Sequence, residues 1–142
     1  MHPFDIREAL LAKHAQHVVV IHFPIALFIT AVFFDYMGQF FGKPALRSPA
    51  AYNFLAAALS APFAAITGLL AWHLQLEGQR LHGILLIHLL LGIASAVLMA
   101  FVWWVHRTGF IRAAIRLSLE AVAVVVIALT AHLGGFLSGV NT

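Results

Sequence analysis

Apolar residues occupy the chain in long runs, and polar residues are gathered between them. A helix needs about 20 apolar residues to cross a hydrocarbon core, and four such runs are present, at about 17–41, 51–74, 81–105 and 117–138. No stretch alternates polar and apolar positions as a barrel strand does. Gly42, Pro44 and Pro49 mark "GKPALRSP" as a loop, "LQLEGQR" as the next turn, and "HRTGFIRAAIR" as a basic loop before the fourth run. Pro62 removes one backbone hydrogen bond in the second run and predicts a kink. Pro24 is expected near a helix start, where its missing N–H leaves little unsatisfied. Residues 1–16 mix charges with Phe4, Ile6, Leu10 and Leu11, which suits a short helix lying in the membrane interface better than a signal peptide. The expected fold is therefore all-α: an integral membrane four-helix bundle with a short N-terminal interfacial helix, in one domain over residues 1–142.

Composition sharpens this. Of the 142 residues, 63% are hydrophobic and 9% charged, and the mean hydropathy is +0.98, well outside the range of ordinary soluble domains. The isoelectric point near 10.0 does not point to nucleic acid, because the eight Lys and Arg residues are scattered over loops and form no basic stripe. With no cysteine, disulfides and thiolate metal sites are excluded within the chain. The basic residues instead set orientation. Four spans bring both termini to one end of the bundle, the terminal end. That end holds Arg7, Lys13 and Arg80 against Asp5, Glu8 and Glu77, while the far end holds Lys43, Arg47, Arg107, Arg112 and Arg116. By the positive-inside rule the far end is cytoplasmic. The expected location is a bacterial inner membrane, with the N- and C-termini periplasmic.

Nine histidines are the chain's unusual chemistry. Six fall at the terminal end: His17, His73 and His82 in an outer layer, and His22, His88 and His132 in an inner one, with His22 about 7 Å below His17 at 1.5 Å per residue. Only His106 belongs to the far end. Polar side chains inside a span usually face the bundle interior and mark a site, and imidazoles from all four helices at one level suggest a bound ligand. His17 and His22 stand about 140° apart on their helix, and His82 and His88 about 120°, so each helix offers one imidazole inward per layer. A b-type haem calls for this arrangement: two imidazoles from different helices, small residues at the porphyrin edge, and cations near the propionates. Gly68, Gly83, Gly92, Gly134 and Gly135 are the small-residue candidates, and Lys13 and Arg80 the propionate-side cations. His22 leads as one axial ligand and His82 or His88 as the other, with His132 and His17 next. The competing expectation is a copper or zinc site drawn from His22, His82, His88 and His132, and a third is a structural subunit of a membrane complex. Asp35 and Glu120 are expected at the far interface, where they make a poor proton path.

The first-span motif His17, His22, Phe23, Pro24 and Asp35, with "AAITGLLAW" ending the second span, "RLHGILL" opening the third and "AHLGGFLSG" closing the fourth, resembles a bacterial inner-membrane family known as domain of unknown function 2231. The similarity covers nearly all the chain beyond residue 16. His82 matches the family's third-span histidine, whereas His88 lies outside its pattern and the fourth span lacks the family's basic, His-containing tail. The resemblance implies a four-helix membrane protein, sometimes fused to Rieske-type iron–sulfur domains, and hence a redox setting. The function expected from the sequence is a membrane-bound b-type cytochrome, or a haem-carrying subunit of a respiratory or photosynthetic complex, passing electrons near the periplasmic face. It would be an electron-transfer subunit more than an enzyme on its own, with the lipid bilayer, other subunits and a Rieske-type or cytochrome c partner around it.

Overall fold

A computed structural model of the protein describes residues 15–75, 80–109 and 111–138. Four long helices run through them: α1 over Ala15–Phe40, α2 over Arg47–Gln75, α3 over Gly83–Thr108 and α4 over Ala113–Leu137, with one 3-10 turn at Pro44–Leu46. Among the described residues there is no strand. All four helices are long and apolar enough to cross a bilayer. The interfacial helix expected at 1–16 falls almost wholly outside the described residues, and Gln16 is already part of α1.

The helices form an antiparallel bundle. Each packs on its chain neighbour, and α4 returns to touch α1, so α1 and α3 stand on one diagonal and α2 and α4 on the other. The core is built from two phenylalanines among small side chains. Phe28 and Phe54 are fully buried and meet edge to face, 5.3 Å between ring centres, a favoured aromatic geometry. Around them α1 contributes Ala31 and α2 contributes Ala50, Ala57 and Ala61. Small residues let helix backbones approach closely, which replaces the hydrophobic drive that is lost inside lipid. Met99 and Val102 of α3 and Ala123 and Ile127 of α4 complete the cluster. Large apolar residues such as Phe33, Phe63, Val97 and Val125 lie outside, as lipid-facing positions should.

Three boundaries differ from the sequence pattern, and each has a local cause. Pro49 does not break a helix; it sits in the first turn of α2, where no intrahelical donor is needed. Pro24 does not start one: α1 begins nine residues earlier, so Pro24 lies inside it and leaves the Val20 carbonyl without its usual donor. The third difference matters most for function. Helix α3 runs on to Thr108, where Gly109 caps it in a left-handed conformation (φ 62°) and gives its N–H to the Val105 carbonyl. Helix α4 starts at Ala113. Much of the supposed basic loop is therefore helix, and His106 and Arg116 belong to the bundle.

Candidate functional site

At the terminal end, two histidines from diagonal helices are each seated on a glycine of the next helix. His17 of α1 places Nδ1 3.1 Å from the Thr67 hydroxyl of α2. That hydroxyl gives its own hydrogen to the Ala64 carbonyl at 2.8 Å, so it accepts from His17, and Nδ1 carries the ring's hydrogen. A Cβ on Gly68 would stand 3.0 Å from His17 Cε1, so a larger residue would push the ring by a few tenths of an ångström. His88 of α3 repeats the arrangement against α4. Its Nδ1 lies 3.0 Å from the Thr130 carbonyl, which can only accept, and a Cβ on Gly134 would stand 3.1 Å from His88 Cε1.

Both rings are partly buried, and they are close enough to interact electrostatically. With Nδ1–H committed on each, the neutral imidazoles keep their lone pairs on Nε2. This is how metal-binding histidines are prepared: a partner at one nitrogen fixes the tautomer and the ring's direction, and the other nitrogen binds. The polar chain continues one step inward. Ser95 donates to the Thr130 hydroxyl at 3.0 Å, whose hydrogen goes to the Val126 carbonyl at 2.8 Å.

The other histidines weighed from sequence lie elsewhere. His22 is exposed, with Nδ1 folded back on the Val18 carbonyl of its own helix; it faces out of the bundle and does not join His17 and His88. His82 is exposed at the N-cap of α3. His132 is exposed and stands edge-on to Phe136, 5.0 Å between ring centres. His73 is exposed too. The two stacked layers expected from depth are thus replaced by one pair that takes a member from each. Arg80 is exposed at the terminal end, and Lys13 lies outside the described residues. Of the glycines, Gly83 and Gly92 face open space.

The far end holds a second polar group that the sequence pattern placed at the interface. Asp35 of α1 is 4% exposed and Glu120 of α4 is 0% exposed. Arg116 donates to Asp35 Oδ2 at 2.7 Å, and its Nε stands 3.5 Å from Glu120 Oε1. His106 of α3 donates through Nε2 to the same Glu120 oxygen at 2.8 Å, and its ring lies over Phe54, 4.3 Å between centres. Beside them the Tyr36 hydroxyl donates to the Leu117 carbonyl at 2.7 Å, a second tie between α1 and α4. Asp35, His106 and Glu120 bring ligand atoms within 4.8 Å of one another. One signal in the sequence pointed here: Arg116 and Glu120 are four residues apart, on one face of a helix that starts early enough to hold both.

The family described as predicted membrane protein (DUF2231) matches residues 13–140. Neither a curated protein nor a solved structure matches the chain.

Proposed function

Since the chain belongs to the DUF2231 family of predicted membrane proteins, a description that carries no activity, we propose on the strength of its site that it is a membrane-bound b-type haem protein with His17 and His88 as axial ligands. The observation that supports this is the matched pair of imidazoles on diagonal helices, each with Nδ1–H held by the neighbouring helix and a lone pair left on Nε2. Two nitrogen donors are what a six-coordinate haem iron asks of a protein, and they fall short of the three or four that zinc needs. Gly68 and Gly134 clear the space for the rings. Thr67 and the Thr130 carbonyl hold their tautomers. Arg80, at the same end, is the described cation suited to a propionate.

Bound there, haem supplies one-electron chemistry. The chain's own contribution is to fix two ligands, shield them with apolar helices and place them near the terminal face, which is the periplasmic one if the loop charges set orientation. An electron carrier so placed serves other subunits of a membrane redox complex, with a Rieske-type or cytochrome c protein as its partner, in a bacterial inner membrane.

The test is an optical spectrum of protein expressed with ample haem. A Soret band and a pyridine haemochrome of b type are expected, retained in His22→Ala and lost when His17→Ala and His88→Ala are combined. A colourless protein, or a band that survives the double substitution, overturns the proposal. Stoichiometric copper or zinc in a colourless protein would move the reading to a non-haem metal.

A further inference from the structure

The polar group at the far end takes no part in the imidazole pair, and it is too poorly matched to be only a clasp. Glu120 Oε2 and Arg116 Nε are buried without a hydrogen-bond partner, whereas buried polar atoms are nearly always paired. Charge is unmatched as well. Asp35 and Glu120 bring two negative charges and Arg116 one positive, so the four groups sum to one negative charge while His106 is neutral. One proton closes that gap.

We propose that Asp35, His106, Arg116 and Glu120 form a proton-loading site, which takes one proton from the aqueous phase at the far face and returns it to the same side. The groups are graded in exposure. Counting side-chain atoms alone, Arg116 is 22% exposed and His106 10%, while Asp35 is 6% and Glu120 0%. His106 stands two residues from the end of α3, and Glu120 lies about 10 Å along α4 from its start at 1.5 Å per residue. A proton therefore enters through His106. Protonation at Nδ1 makes an imidazolium. Passing the Nε2 proton across the 2.8 Å bond to the Glu120 carboxylate then leaves a neutral imidazole and a carboxylic acid. No other bond changes, and the group is neutral in both forms.

The surroundings define the rest. From α1 the site faces Asp35 and the Tyr36 hydroxyl, which is already bonded to the Leu117 carbonyl; from α3, His106; from α4, Arg116 and Glu120; and from α2, the ring of Phe54. Arg116 is committed to Asp35 by its 2.7 Å bond, and the directly bonded pair left to exchange is Glu120 and His106. Toward the terminal end the Ser60 hydroxyl of α2 is spent on its own helix at the Ala56 carbonyl. Ser95 and Thr130, the next described side-chain hydrogen bond between helices, lie about 15 Å further along α4, beyond Met99, Val102, Ala123 and Ile127. The site is thus a dead end and carries no proton across. The guanidinium also argues against a divalent cation, which would sit beside a fixed positive charge.

The experiment is infrared difference spectroscopy on the full chain in lipid nanodiscs, stepped through the pH range in which circular dichroism shows it folded. Replacing Glu8→Gln and Glu77→Gln leaves Glu120 as the one glutamate, so carbon-13 glutamate labelling then reports that carboxyl without touching the site. A labelled carboxyl band that grows on acidification, alongside imidazole bands that vanish in His106→Gln, is the expected result, the same with or without haem. Two results overturn the proposal: a labelled carboxylate unchanged throughout that range, or one equivalent of Zn²⁺ or Mn²⁺ bound by the wild type and lost in Glu120→Gln. A missing Soret band would bear on the iron site alone.

Discussion

The two ends of this bundle handle polar side chains in opposite ways. At the terminal end His17 and His88 are neutral rings, each satisfied at one nitrogen by a hydroxyl or carbonyl of the next helix, and nothing ionic ties the helices together among the described residues. At the far end Arg116 joins Asp35 and Glu120, and His106 closes on the same carboxylate. The core follows this division. Phe54, Val102, Val105 and Glu120 are sealed toward the far end and Phe28 and Ile127 near the middle, while Ala64, at 8% exposed, is the last core residue of α2 toward the other. Charges in a low-dielectric setting hold helices firmly but must be matched. Imidazoles leaning on glycine hold them weakly and keep a lone pair in reserve. One end is tied across helices by charge, and the other keeps two nitrogen lone pairs for the ligand proposed above.

That contrast can be broken or sharpened by substitution. The largest effect is expected from His17→Ala with His88→Ala: bound haem should vanish from the visible spectrum, while the far end keeps the bundle folded by circular dichroism. Next is Arg116→Met, which strands two buried carboxylates and should lower stability by about 3–5 kcal/mol, read as a fall in the thermal midpoint in detergent. If the midpoint barely moves, the far end is not the firm one. Gly134→Val drives a side chain into the His88 ring, an overpacking effect of about 1–3 kcal/mol that should appear as roughly ten- to hundred-fold weaker haem binding on titration. Thr67→Val removes the partner of His17 Nδ1 and should weaken binding about ten-fold, the low end of what outer-shell partners contribute. The smallest effect belongs to His22→Ala, within about 0.5 kcal/mol of the wild type and with an unchanged spectrum; a large one would bring His22 back into the site.

The spans were legible because length and apolar content are strong signals in a membrane chain. Which face of each helix turns inward was not. The helices are apolar nearly all round, since lipid and core ask for the same residues, so periodicity gave no inward direction. His17 and His22 therefore could not be told apart, although one packs on Gly68 and the other looks out. The far-end group was hidden by a different cause. Reading 106–116 as loop placed His106 and Arg116 in water, and what draws Arg116 inward is Asp35, 81 residues away. No local pattern carries a pairing over that separation. The glycines at 68 and 134 were visible as small residues in spans, but the rings resting on them were not.

That same separation has a consequence for how the protein is made. Synthesis runs from the N-terminus, so α1 enters the bilayer carrying Asp35 well before Arg116 exists. Until then the carboxyl has only the nearby helix end, five residues on at Phe40, and the water beyond it. The first hairpin is accordingly provisional: its depth in the membrane becomes fixed when the last helix arrives with its guanidinium. A chain halted before α4 should leave α1 shallower than in the finished protein, with its polar end still reaching for the surface.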